Sequence, residues 1–163
     1  MNDPMTILKA DHREAKKLLT ALAESDEGAE RDKMADKVNE ALLLHMKIEE
    51  SIVYPAVKQQ VGAEDEEEAE IEHGLAREGL AKMMSMLTVP GFGAAVEMLK
   101  GGIEHHVEEE ETELLPALKE ALPHAEWLAM GDAIAKAKAD AGHPVHKPAP
   151  RRSNKRRATS KSR

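Results

Sequence analysis

Apolar residues recur every three to four positions along four long segments of the chain, which predicts four amphipathic helices. Pro55 lacks an amide hydrogen and disfavours helix in the residue before it, so the second helix should kink or end there, with one further turn extending to Gln60. The predicted long helices cover residues 6–24, 29–54, 64–87 and 94–115, and a short fifth helix covers residues 126–139.

Each long helix carries a histidine on its inward stripe. These residues are His12, His45, His73 and His106. Glu49 and Glu110 follow the second and fourth of them by four residues, which places each glutamate one turn away on the same helical face. Burying these polar groups without a shared partner would be costly. Four imidazoles and two carboxylates therefore indicate a metal site, and six nitrogen and oxygen ligands suit a pair of irons.

The same pattern is written twice, with an offset of 61 residues. Residues 45–50 (HMKIEE) return as residues 106–111 (HVEEEE), and a Pro-Ala pair follows each of them at the same distance. The offset also carries His12 onto His73. This repeat predicts an all-α, up-down-up-down four-helix bundle with an internal pseudo-twofold axis, on which the metals would lie. The short C-terminal helix should cap the bundle through Trp127 and Leu128.

Composition separates an acidic body from a basic tail. The net charge is −8, but all 31 acidic residues precede Gly142 and 8 of the 23 basic residues follow it, so the two parts carry −16 and +8. We expect residues 1–142 to form the metal-binding domain and residues 143–163 a disordered basic tail. The acidic body should repel nucleic acid and membranes. Contact of the tail with nucleic acid or a protein partner is the alternative to a merely solubilising role.

The chain contains no cysteine, which excludes disulfides and thiolate ligands and favours iron or manganese over a thiolate-rich zinc site. It shows neither a secretion-like start nor an apolar run long enough to span a membrane. We therefore expect a soluble, cytoplasmic protein, and the sequence does not define its oligomeric state.

These motifs resemble those of the hemerythrin-like family, the HHE cation-binding domains, over roughly residues 5–120. The resemblance implies a non-haem pair of iron ions, oxo- or hydroxo-bridged. It also implies that His12, His45, His73 and His106 are terminal ligands and that Glu49 and Glu110 are bridging carboxylates.

Two positions bear on what such a site would do. Oxygen-carrying hemerythrins place a further histidine one turn after the third-helix ligand, where this chain has Arg77, so the resemblance favours reaction with a small oxidant over reversible oxygen carriage. Tyr54 is the only tyrosine and a candidate additional ligand. A continuous helix would aim it about 180 degrees away from His45, so only a bend would bring it to the metals. The alternative is an amphipathic side chain at the end of the bundle.

The first functional hypothesis is therefore catalase-like decomposition of hydrogen peroxide, protecting against oxidative stress, with no catalytic residue apart from the metal ligands. The alternative is a sensor of oxygen, nitric oxide or iron, or a protein of nitric-oxide stress. A ferritin-like oxidase is disfavoured because it needs two Glu-x-x-His pairs, and among the core histidines only Glu70 with His73 fits. A purely structural bundle is the remaining rival, which metal analysis would separate from the others.

Several nearby residues are given other roles. His105, Glu50, Glu109 and Glu111 should turn away from the metals toward supporting or solvent positions. No ligand role is expected for His124, His143 or His146, which lie outside the repeat. Gly101 and Gly102 weaken the fourth helix, and either close helix packing or a path for the oxidant would explain them.

Overall fold

Seven α-helices and two π-helical turns make up the part of the chain that the computed structural model describes, residues 2–143 and 145. The helices are α1 (Pro4–Ala23), α2 (Ala29–Ile48), α3 (Tyr54–Gln60), α4 (Ala63–Met84), α5 (Phe92–Glu109), α6 (Leu115–Ala121) and α7 (His124–Asp140). None of these described residues forms a strand. The all-α prediction is confirmed. Most of the basic tail, including His146, lies outside the described residues.

The long helices α1, α2, α4 and α5 form the bundle. Each predicted helix is present and begins within a few residues of its expected start, but α2 and α5 end six residues before the predicted ends of the second and fourth helices. The apolar core consists of two clusters. One includes Leu8, Val57 and Leu118 and is closed by α7. The other includes Leu19, Val38, Leu80 and Val96. The buried histidines and glutamates belong to neither cluster.

The C-terminal helix α7 packs against the start of α1. Asp3 caps α1 by accepting a hydrogen bond from the amide of Thr6 (2.9 Å), and its other carboxylate oxygen accepts one from Trp127 Nε1 (3.0 Å). Trp127 is buried and Leu128 packs beside it, as predicted for the capping helix. This carboxylate thus joins the helix cap of α1 to the packing of α7.

The structure corrects the prediction that the second and fourth helices continue unbroken to their prolines. Each becomes a π-helical turn, at Glu49–Val53 and Glu110–Leu114, and then resumes as α3 and α6. The amide of Tyr54 accordingly donates to the carbonyl of Glu49, five residues back. A proline ring clashes with the carbonyl four residues before it in an ordinary α-helix, so the wider turn relieves this clash without ending the helix.

The two π turns are separated by the same 61 residues as the sequence repeat. Each inserts one residue into its helix, which rotates the segment after it relative to the segment before it. Tyr54 and Leu115, the first residues of α3 and α6, are therefore turned inward and are buried.

No helix in the described ranges combines the length and the apolar character that crossing a bilayer requires.

Candidate metal centre

The four inward histidines meet in two pairs. Nε2 of His12 lies 3.1 Å from Nε2 of His45, and Nε2 of His73 lies 3.1 Å from Nε2 of His106. All four side chains are buried, with 1 to 8% of each residue exposed. Each pair joins histidines from the two helices of one half of the repeat. The first half supplies His12 and His45, and the second half supplies His73 and His106.

Glu49 lies between the two histidine pairs. Its Oε1 is 3.1 Å from Nε2 of His45, whereas its Oε2 is 3.3 Å from Nε2 of His73. Glu110 faces the first pair, with Oε2 at 3.3 Å from Nε2 of His12. The six predicted residues thus form two overlapping groups that share Glu49. A carboxylate whose two oxygens face separate nitrogen pairs has the arrangement of a bridging ligand.

The two buried carboxylates lack ordinary partners. Among the described residues, no hydrogen bond reaches any of the four carboxylate oxygens of Glu49 and Glu110. Both side chains are almost fully buried, and buried charged oxygens are normally hydrogen-bonded or bound to a cation. The donor set of imidazole nitrogens and carboxylate oxygens, with its atoms within 4.8 Å of one another in each group, therefore fits cations such as iron.

A second layer of carboxylates orients the imidazoles from behind. Nδ1 of His12 donates to Glu111 (2.8 Å), Nδ1 of His73 donates to Glu50 (3.0 Å), and Nδ1 of His106 donates to Glu72 (2.7 Å). Asp11 stands behind His45 at a longer distance, 3.6 Å from Nδ1. A proton on Nδ1 leaves the Nε2 lone pair directed into the cluster, which is the tautomer that binds a metal through Nε2.

These outer carboxylates obey the same repeat. Asp11 and Glu72 are 61 residues apart, and so are Glu50 and Glu111. The supporting role expected for Glu50 and Glu111 agrees with these contacts, but the sequence reasoning missed Asp11 and Glu72. The signal was present, because each immediately precedes a repeated histidine in the chain.

Tyr54 reaches the cluster. Its hydroxyl lies 2.9 Å from Nε2 of His73, and only 1% of the residue is exposed. The π turn supplies the bend that a regular helix lacks. The ring also packs in the apolar cluster with Leu8 and Val57, so a ligand role for the tyrosine stays a prediction. Burial, followed by the negative charge of Glu49, raises the pKa of Tyr54, so the phenol is neutral in the metal-free protein.

In the metal-free protein, the pKa values of His12, His45 and Glu110 are raised, so these groups hold protons more tightly than usual. Burial alone would lower the pKa of His12, but the neighbouring carboxylates of Glu110 and Glu49 outweigh it and raise the pKa to about 11. Burial opposes protonation of His45 as well, yet the charge of Glu49 raises its pKa to about 9. Burial and the neighbouring Glu49 charge raise the pKa of Glu110. Cations entering the cluster would therefore displace protons.

Arg77 does not point at the cluster itself. Its guanidinium donates to both carboxylate oxygens of Glu50, at 2.7 Å each, and Glu50 in turn accepts from Nδ1 of His73. The residue that stands where an oxygen carrier would have a histidine thus fixes the orientation of an imidazole. Arg77 and Glu50 together restrict rotation of the His73 imidazole.

The remaining histidines lie apart from the cluster. The side chain of His105 is 65% exposed and faces Glu109, so it points away from its neighbour His106. His124 is exposed at the start of α7, and His143 lies 3.5 Å from Glu40. A Cβ added at Gly101 or Gly102 would meet nothing within 4 Å, so close helix packing does not explain these glycines.

A helical bundle with buried histidines and carboxylates between its helices has the donor groups of a metal-binding four-helix protein. Residues 3–118 match the family described as the hemerythrin HHE cation-binding domain. This match covers most of the chain, and the protein belongs to that family. The prediction made from the sequence motifs is confirmed.

The fold has a counterpart among solved structures. A hemerythrin HHE cation-binding domain-containing protein from Mycobacterium kansasii is similar to this chain with a TM-score of 0.76 and 25% sequence identity. The similarity covers 87% of this chain and 89% of that protein. Comparison with curated proteins gave no match.

Proposed function

We propose that the protein holds two iron ions and decomposes hydrogen peroxide. The ligands would be the six residues of the overlapping groups, namely His12, His45, Glu49, His73, His106 and Glu110, with Tyr54 as a further candidate. The observation that carries this proposal is the position of Glu49, whose two oxygens face different histidine pairs. A single-ion site would not need such a shared carboxylate.

Two neighbouring irons would supply the paired redox chemistry that cleavage of an oxygen–oxygen bond requires. Side chains of the protein position the candidate ligands for this chemistry. Glu111, Glu50 and Glu72 hold the imidazoles with Nε2 inward. The side chains of all four histidines and both glutamates are themselves buried. Tyr54 keeps a phenolic oxygen beside His73, where it can hold a proton at neutral pH or bind a cation in its deprotonated form.

Metal analysis with a peroxide assay tests the proposal. Purified protein loaded with ferrous iron should contain two irons per chain and evolve oxygen from hydrogen peroxide. The consecutive histidines provide a matched pair of variants, because His106 faces the cluster and His105 faces solvent. His106→Ala should lose iron and activity, whereas His105→Ala should retain both. Two bound irons without any consumption of peroxide would refute the proposed reaction while leaving the site intact.

Reversible binding of oxygen or nitric oxide is the second candidate function. It is favoured by the cavity that adjoins the histidines, whose lining is largely apolar and suits uncharged diatomic gases. A sensor of this kind would show a spectral change on addition of the gas that reverses on its removal, without turnover. Peroxide decomposition at catalytic rates would instead favour the first function.

A further inference from the structure

A large cavity adjoins the histidine cluster and is lined by residues of α1, α2, α4, α5 and α7. Its volume is about 740 Å³. Water fills roughly 30 Å³ per molecule in the liquid, so hydrogen peroxide would occupy only a small part of this space. Sites for organic ligands have volumes of about 300 to 1,000 Å³. The cavity is therefore the size of a site for a larger molecule than the oxidant.

The walls contributed by α4 and α5 are apolar or small. They include Leu75, Ala76 and Gly79 from α4 and Ala95, Met98 and Gly102 from α5. Leu75 and Met98 are 63% and 81% exposed, so neither belongs to the buried core. Large apolar side chains exposed on two adjacent helices at a cavity are typical of a binding site for an apolar group.

Gly102 keeps this wall open. A glycine within a helix costs about 1 kcal/mol relative to alanine, and no neighbour requires one here. The adjacent glycines differ in one respect, because Gly102 lines the cavity and Gly101 does not. A side chain at Gly102 would therefore project toward the cavity, whereas the same side chain at Gly101 would leave it unchanged.

The two ends of the cavity differ in polarity. His73 lies at one end of the α4 wall, and Lys82 lies nine residues further along the same helix, about 14 Å away at the rise of an α-helix. Lys82 and Lys37, both exposed, line the cavity, and Lys37 lies eight residues before His45 on α2. The acidic lining residues Asp11, Glu14 and Glu72 are instead within two residues of a cluster histidine. A molecule with an apolar body and one anionic end would match this distribution.

We propose that the cavity binds a single-chain aliphatic carboxylate. Its carboxylate would pair with Lys82 at the surface, and its chain would run between α4 and α5 toward the histidine cluster. This binding does not depend on peroxide chemistry and can be measured in the metal-free and the iron-loaded protein.

Calorimetric titration of the full chain with dodecanoate, below its micelle concentration, tests the site. Wild type should bind with a negative change in heat capacity, the mark of apolar burial. Gly102→Leu should weaken binding about tenfold or more, and Gly101→Leu should change it less than about twofold. Circular dichroism checks the fold of both variants. No binding by wild type, or equal affinities for the two leucine variants, would overturn the proposal.

A surface substitution that leaves the core untouched tests the position of the carboxylate. Lys82→Glu should weaken binding of dodecanoate about fivefold, the size expected for an exposed ion pair, and leave binding of uncharged 1-dodecanol unchanged. Lys17→Glu, on an exposed face of α1 outside the cavity, should affect neither ligand. If Lys82→Glu weakens both ligands equally, or neither, then the carboxylate does not lie on Lys82 and the proposed orientation is wrong.

Discussion

The hydroxyl of Tyr54 lies 2.9 Å from Nε2 of His73, inside the cluster of buried histidines and glutamates. The repeat-related position holds Leu115, which is equally buried but offers no polar atom. The candidate ligands and the outer carboxylates are duplicated, whereas this phenol is not. The two halves of the site therefore differ at one donor atom.

Tyr54→Phe tests whether the phenol binds iron. A tyrosinate bound to ferric iron gives a visible charge-transfer band, so iron-loaded wild type should show this band and the variant should lack it. Leu115→Phe is the matched control, since it adds an aromatic ring at the related position without removing an oxygen, and it should retain the band. Identical spectra for wild type and Tyr54→Phe would contradict a ligand role for the tyrosine.

Glu110→Gln should separate the stability of the metal-free protein from that of the loaded protein. Burial and the charge of Glu49 raise the pKa of Glu110, so a neutral amide should leave the metal-free Tm unchanged or higher. The rise in Tm on iron loading should shrink, because a ligand is lost and binding stabilises only the folded form. Differential scanning calorimetry measures both. A metal-dependent rise equal to that of wild type would exclude Glu110 from the ligands.

The metal-free protein should lose stability in alkaline solution. The pKa values of His12 and His45 are raised to about 11 and about 9 in the folded state, against roughly 6.5 when unfolded. Their stabilising contribution is complete below the unfolded value and is lost as the pH rises through the folded values. Thermal unfolding should show a falling Tm between about pH 7 and 10, and His45→Gln should flatten this dependence. A Tm that rises over this range would contradict the raised pKa values described above.

Removing an outer carboxylate should weaken metal binding without removing a ligand. Glu72→Gln takes the charge from the group that accepts the hydrogen bond of His106 Nδ1. The affinity for iron should fall roughly 10- to 100-fold, as measured by competition with a chelator. Glu108→Gln, an exposed glutamate on the neighbouring helix, is the control and should bind iron like wild type. Equal affinities for the two variants would show that Glu72 does not support the site.

Glycine substitutions should have opposite effects at two positions. Gly101→Ala should raise the free energy of unfolding by about 1 kcal/mol, because a methyl group there meets no neighbour and alanine favours helix. Gly131→Ala should lower it, because the added Cβ would collide with the backbone carbonyl of Asn2. Chemical denaturation measures both. A destabilised Gly101→Ala variant would show that this glycine has a packing role that the open space around it does not reveal.

The bundle and the gathering of the six candidate ligands could be predicted because two independent periodicities agree. Apolar residues at helical spacing define which face of each helix is buried, and the histidines and glutamates fall on that same face. When the four helices pack as one bundle, their buried faces meet in a single core. That core must therefore contain His12, His45, His73 and His106. That these residues bind metal remains a prediction.

The path of the chain after Glu49 could not be predicted from helical periodicity. One inserted residue rotates everything that follows it, and the sequence around Pro55 predicts a disturbance without specifying whether the helix kinks, ends or widens. The orientation of Tyr54 depends on that choice. Asp11 and Glu72 were missed for a different reason. Each is next to a histidine in sequence but contacts a histidine of another helix, His45 and His106 respectively, and helical periodicity does not specify which helices pack together.

The matching π turns imply a history for the molecule. Since both halves contain the same insertion before the same proline, a single half-length ancestor that already had it could have built the complete set of four histidines and two glutamates by pairing with an identical copy. Joining two such copies into one chain would remove the requirement for symmetry. Tyr54 and Leu115 differ in this chain, whereas a pair of identical copies would carry the same residue at both positions, so the single chain can place a phenol on one side of the centre and a hydrocarbon on the other.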